Sequence, residues 1–207
     1  NSAVVDQAGN SGIGITASNS FAVDTQRPTA VISMADTALS AGESTLVTFT
    51  FSEAVNGFDN SDVSVANGTL SDVTSIDGGI TWTALFTPTL QVQDGTNLIT
   101  LNNSGITDLA GNSGTGTTNS PNYTVNTVLP TATIVVADTA LAVGETSLVT
   151  ITFSEAVAGF TLTDLSVATG SLSGLGSSDG GITWTAILTP TSNVEDSRNL
   201  ITLDNSG

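Results

Sequence analysis

The side chains of this chain that could do chemistry are almost all carboxylates. Nineteen Asp and Glu stand against Arg27 and Arg198, with no Lys, His or Cys. Without Cys there is neither a disulfide nor a thiolate ligand. Without His the common nucleophile–base pairs and imidazole metal sites are absent. Paired carboxylates can cleave glycosidic bonds, but that needs a cleft with substrate-binding aromatics. Aromatics are few here, and most fall at core-facing strand positions, so the sequence does not read as that of an enzyme. Oxygen donors alone suit a hard cation such as Ca²⁺. A net charge of −17 argues against nucleic acid, whose phosphates need Lys and Arg, and against an anionic membrane surface. No apolar run approaches the ~20 residues of a membrane span, and no signal peptide is visible.

The acids recur at a fixed spacing. Residues 25–105 align with 127–207 without a gap at an offset of 102, and about two thirds of the aligned positions are identical. Phe51-Ser52-Glu53-Ala54-Val55 matches Phe153-Ser154-Glu155-Ala156-Val157. Asp77-Gly78-Gly79-Ile80-Thr81-Trp82 matches Asp179-Gly180-Gly181-Ile182-Thr183-Trp184. The same offset links Asp6-Gln7-Ala8-Gly9-Asn10 to Asp108-Leu109-Ala110-Gly111-Asn112, and Val23-Asp24-Thr25 to Val125-Asn126-Thr127. The chain therefore divides into the tail of one repeat (1–24), one complete repeat (25–126) and one repeat lacking its last strand (127–207).

Period-2 alternation dominates within a repeat, and no helical period is sustained. The predicted strands of the complete repeat are 29–34, 46–51, 62–65, 69–75, 80–87, 98–101 and a stretch around 117–125. Val47, Phe49 and Phe51 share the inward face of the second, and Trp82 is expected to fill the core from the fifth. Asp77-Gly78-Gly79 supplies the positive φ that a hairpin turn demands. Seven strands in about a hundred residues predict an all-β fold: tandem seven-stranded immunoglobulin-like β-sandwiches in an elongated array. That topology gathers the loops carrying Glu53, Asp77 and Asp108 at the pole where the chain enters, beside Asp24. The opposite pole carries Glu43 and Asp94.

Each candidate metal ligand has a plainer reading beside it. Glu53 and Glu155 are Ca²⁺ carboxylates, or polar residues that close a strand on their own backbone. Asp77 and Asp179 are sufficiently explained by the hairpin turn they begin, with ligation as the second reading. Asp108 with Asn112, and Asp6 with Asn10, either wrap a cation or form an Asx-turn that fixes its own loop. Asp24 is the acid before the complete repeat, and Asn126 is its uncharged counterpart, so a second site should bind Ca²⁺ more weakly. Asp59-Asn60-Ser61-Asp62 lacks the Gly and distal Glu of an EF-hand loop and reads as a solvated loop.

The runs FSEAV-x-GF, DGGITWTA-x-x-TPT, NLITL-x-NSG, D-x-AGN and VDT-x-x-PTA together resemble the bacterial Ig-like repeats of giant adhesins. The resemblance covers the whole chain. It implies extender modules in series at the cell surface or outside the cell, commonly exported by type I secretion beside RTX repeats, with Ca²⁺ at or near the junctions stiffening the rod. Its partners are then the neighbouring repeats of the same protein. A glycan- or protein-binding module is an alternative, although neither repeat carries a private loop. A second alternative is a filament built by donor-strand complementation. Residues 1–24 match the strand that 127–207 lack and are expected to insert into the incomplete repeat of another molecule, a head-to-tail homo-oligomeric contact. Residues 1–24 free in solvent, or folded against 25–126, would tell against it.

Overall fold

A computed structural model describes residues 4–205. The chain splits into two compact units, Asn1–Thr89 with Asp94–Val125, and Leu90–Gln93 with Asn126–Gly207. Both are β-sandwiches, and no helix among the described residues is long and apolar enough to cross a membrane.

The first sandwich comprises β1 (Ala30–Met34), β2 (Ala38–Ser40), β3 (Thr45–Phe51), β4 (Val55–Asn56), β5 (Val63–Val65), β6 (Gly68–Leu70), β7 (Thr74–Ser75), β8 (Thr81–Pro88), β9 (Gln93–Asn97), β10 (Ile99–Asn102), β11 (Thr107–Asp108), β12 (Thr117–Asn119) and β13 (Tyr123–Asn126). One sheet runs β1-β3-β8-β6, with β7 also on β8. The other face holds β12-β10-β5 and the group β2-β13-β9. This is the division of strands that an immunoglobulin-like sandwich requires. Each of the seven expected strands has a counterpart, but the one expected over 69–75 is broken into β6 and β7, and the one around 117–125 into β12 and β13, which lie in different sheets; β2, β4, β9 and β11 are additional, too short to show a period in sequence.

Alternation places the core. In β3 every second residue is buried, so Val47, Phe49 and Phe51 point inward, while β8 contributes Ala84 and Phe86. Phe49 pairs with Trp82 across β3 and β8. Trp82 departs from the expectation: it lies on the inward face but is only half-buried. Its ring meets Phe58 edge-on at 5.3 Å, and its indole N–H donates to the Gly79 carbonyl at 3.1 Å. An indole N–H must keep a partner, and the partner here belongs to the turn at the rim. The centre is filled instead by Phe49, Phe86 and Tyr123. Tyr123 meets Phe86 edge-on at 5.1 Å, and its hydroxyl donates to the Ala66 carbonyl. Burial pushes its pKa up to about 12, the Ala66 carbonyl notwithstanding.

Segment 59–62 is a short 3-10 turn rather than an open loop. Asp59 caps it by accepting from Ser61 N–H at 2.7 Å, and Asp62 accepts from Asp59 N–H at 3.1 Å.

The second sandwich comprises β14 (Ala132–Val136), β15 (Ser147–Phe153), β16 (Leu165–Val167), β17 (Gly170–Ser177), β18 (Thr183–Pro190) and β19 (Ile201–Leu203). Its sheets run β14-β15-β18-β17 and β16-β19. Val149, Ile151 and Phe153 form its buried centre. Trp184 repeats the position of Trp82, edge-on to Phe160 at 5.2 Å and donating to the Gly181 carbonyl at 3.0 Å.

Residues 4–23 do not form the strand expected of them. They make one bridge, Val5 to Ser11, and lie exposed. A strand needs a neighbour to satisfy its N–H and C=O groups, and among the described residues this segment has no strand beside it beyond that bridge. The local loop nevertheless forms: Asn10 N–H and side-chain amide donate to Asp6 at 2.9 and 2.8 Å.

Candidate cation site

Asp24, Glu53 and Asp108 converge. Each offers a carboxylate oxygen, and these oxygens lie within 4.8 Å of one another. Two Ca²⁺–oxygen bonds of ~2.3–2.6 Å span a similar distance. The three acids come from far apart in sequence, and three local features bring them together. Asp24 lies in the extended segment that leads into β1. Glu53 follows β3, in the turn before β4. Asp108 ends β11, which pairs with β4 in the register Asp108 to Val55.

The loop after β11 is closed by its own polar groups. Asn112 N–H donates to one Asp108 oxygen at 2.8 Å and its amide to the other at 2.7 Å. The same amide donates to the Asp24 carbonyl at 3.3 Å, which ties the entering segment to the loop. Asn112 thus acts as a donor that orients the acids. Asp108 is buried. That burial would raise its pKa, but the hydrogen bonds from Asn112 and the loop backbone outweigh it and hold the carboxyl below its ordinary value. Glu53 is half-buried, and no such donor holds it among the described residues. Burial first, and then the charges of Asp108 and Asp24, push its pKa above the ordinary value of 4.5. The first unit has a single basic residue, Arg27, whose guanidinium donates to the Ser113 carbonyl at 2.6 Å.

The raised pKa of Glu53 has a defined sign. An acid whose folded pKa exceeds its unfolded one opposes folding when ionised. The cost is absent below pH 4.5, grows as pH rises through the raised value, and is complete above it. In chelator at neutral pH, Glu53→Gln is therefore expected to raise the melting temperature of the first sandwich. The gain should vanish as the pH falls below 4.5. A melting temperature that drops at neutral pH would show that the Glu53 carboxylate is held by partners rather than strained by its neighbours.

The other candidate ligands fall elsewhere. Asp77 stands at the same pole: Val55 N–H donates to the Gly79 carbonyl at 3.0 Å, so its turn lies against β4. Its carboxylate is occupied, however. Both oxygens accept from Thr81 N–H, at 2.9 and 3.0 Å, and one also accepts from the Ser75 hydroxyl at 2.9 Å. Those bonds, led by Thr81, lower its pKa to about 2. Asp179 repeats the arrangement through Thr183 and Ser177, also with a pKa of about 2. Asp6 is bound within its own exposed loop. Asn126 is exposed at the end of β13, and Glu155 is half-buried after β15. Among the described residues these do not join a group of three carboxylates. At the opposite pole, Asp94 accepts from Asn67 at 2.9 Å, and Glu43 from Ser40 N–H at 2.8 Å. Sequence reasoning passed over Asn97, which is buried and donates to the Tyr123 carbonyl at 3.1 Å while accepting from Asn67 at 2.6 Å. Its only signal was recurrence as Asn199.

A family model described as a bacterial Ig-like domain matches residues 24–125 and again 126–207. No curated protein matches the sequence. Two solved structures are similar at low identity. FdeC, an adhesin of Escherichia coli, is 17% identical over 88% of this chain and 65% of that chain, with a TM-score of 0.43. The adhesin InvE of Yersinia pseudotuberculosis is 16% identical over 81% of this chain and 52% of that one, with a TM-score of 0.33. The chain thus spans less than two thirds of either.

Proposed function

We propose, from the premise that this chain belongs to the bacterial Ig-like domain family, that its sandwiches are spacer modules of a bacterial cell-surface or secreted adhesin, and that Ca²⁺ at Asp24, Glu53 and Asp108 stiffens the entry to the complete one. The observation that carries this reading is the convergence of the three carboxylates. Two belong to the sandwich, Glu53 in the turn after β3 and Asp108 at the end of β11, and the third to the segment that leads into it. A divalent ion held by all three would clamp that segment to the domain. It would also relieve the repulsion that raises the pKa of Glu53. Three acids and few other donors suit the ~10⁻⁴–10⁻³ M affinity of extracellular Ca²⁺ modules. The counterpart positions Asn126 and Glu155 carry one charge fewer than Asp24 and Glu53, so a site there binds more weakly.

The test is small-angle scattering of the whole chain in chelator and in millimolar Ca²⁺. The expected result is a longer, stiffer particle with the ion, and loss of that response in Asp24→Ala. Identical scattering curves and melting temperatures in the two conditions would remove the role of Ca²⁺. An ion response that survives Asp24→Ala would place the ion elsewhere.

A further inference from the structure

Two asparagines of the chain stand directly before a glycine, Asn56 and Asn67. Such a pair can react within itself. The following backbone nitrogen lies within ring-closing reach of the side-chain Cγ, and glycine has no Cβ to hinder the approach. Whether the reaction proceeds depends on whether the fold leaves the amide and the nitrogen free. Both pairs lie in the first sandwich, and they are held very differently.

Asn67 is locked. It sits half-buried between β5 and β6 with a φ of +51°. Its amide donates to the Asp94 carboxylate at 2.9 Å and to Asn97 Oδ1 at 2.6 Å. Its carbonyl accepts from Thr89 N–H at 2.9 Å. Gly68 is fixed as well: it pairs with Pro88 in the β6–β8 ladder, and a Cβ built there would fall 2.2 Å from the Phe86 ring. Asn56 is the opposite case. It ends β4 with its side chain exposed, and no hydrogen bond holds its amide among the described residues. Val55 N–H is turned away from β11, to the Gly79 carbonyl at 3.0 Å. Gly57 is exposed, with a φ of +81°. Among the described residues no acceptor holds its N–H.

We propose that Asn56 is a site of spontaneous deamidation and isomerisation, and that the fold shields Asn67 from the same chemistry. The Gly57 nitrogen attacks Asn56 Cγ. A C–N bond forms, and the side-chain nitrogen leaves as ammonia, carrying the proton that Gly57 N–H gives up. Water then opens the five-membered imide at either carbonyl. Breaking the bond to Cγ leaves an aspartate at position 56, and breaking the backbone bond leaves an isoaspartate. Water is the only co-reactant. The new carboxylate stands on β4, three residues from Glu53 and opposite Thr107, the neighbour of Asp108. The isoaspartate also lengthens the main chain by one methylene just before Phe58, whose ring meets Phe49, Phe51 and Trp82 edge-on at 5.1, 5.4 and 5.3 Å. The second sandwich carries Ala158 and Thr169 at the two places, so the change is confined to the first.

Peptide mapping by mass spectrometry tests this on the full chain, kept in warm, mildly alkaline buffer and sampled over time. Electron-transfer fragmentation separates aspartate from isoaspartate. The expected result is a mixture of the two at position 56, formed ~10-fold or more faster than any change at Asn67, whose amide must first break two hydrogen bonds, one of them to a carboxylate. In urea both sites are plain Asn-Gly pairs and should react at comparable rates. Asn56→Ala, which places there the residue that the second sandwich carries, should leave the folded chain unchanged in mass over the same period. An Asn56 that stays intact in the folded chain while it converts in urea would overturn the proposal. So would equal rates at Asn56 and Asn67 in the folded chain, or aspartate formed with no isoaspartate beside it, which would mean direct hydrolysis without the imide.

Discussion

Tyr123→Ala is expected to lower the stability of the first sandwich by ~3–5 kcal/mol. The side chain is fully buried, packs edge-on against Phe86 and binds the Ala66 carbonyl. Its removal leaves a cavity between the two sheets and takes away the partner of that carbonyl. Trp82→Ala is expected to cost less, ~1–3 kcal/mol, because the indole sits at the rim, where the vacated space opens to water. Urea unfolding followed by Trp82 emission in a Trp184→Phe background measures the Tyr123 effect. Backbone circular dichroism serves for Trp82→Ala. A loss below ~1 kcal/mol for Tyr123→Ala would mean that the last strand is an attachment to the sandwich and not part of its core. A larger loss for Trp82 than for Tyr123 would reverse the assignment of centre and rim.

The second large effect is expected at Gly79. Its φ is +97°, and a Cβ built there would lie 2.6 Å from the Val55 carbonyl oxygen. Backbone on both sides cannot yield as a flexible side chain would, so Gly79→Ala should cost ~2–4 kcal/mol. Gly78→Ala is the control. It has a similar φ of +82° but open space around it, so it should cost only ~1 kcal/mol. Gly181 meets Val157 in the second sandwich at 2.5 Å and should behave as Gly79 does. The consequence reaches the acids, because Val55 is two residues from Glu53 and pairs with Asp108. Melting curves of the four variants, Gly180→Ala being the second control, decide the matter. Equal losses at Gly78 and Gly79 would show that φ alone sets the cost and that the turn does not press on β4.

Some of this molecule was legible in the residues because the forces concerned act over a few positions. Alternation in 46–51 follows from the pleat, which sends Val47, Phe49 and Phe51 to one face whatever lies opposite. The loop Asp6–Asn10 closes through its own Asp and Asn with no domain around it, as Asp108–Asn112 does within one. The Asp-Gly-Gly turn needs positive φ, and glycines supply it at both copies. The immunoglobulin-like class followed from strand number and turn spacing. Other features depend on distance through space, which spacing along the chain does not encode. Asp24, Glu53, Asp77 and Asp108 could all be assigned to one pole. Which of them turn their oxygens toward each other was decided by the β4–β11 pairing and by Thr81, whose N–H takes both oxygens of Asp77. Trp82 was placed on the correct face by its parity. Its half-exposed position was decided by the Gly79 carbonyl and by Phe58 arriving from a loop. The strands at 38–40 and 93–97 have no period of their own, and each finds its pairing partner in Tyr123–Asn126, which lies between them. A strand's hydrogen bonds belong to the pair and not to the segment, so which short segments become strands was decided by what lies beside them.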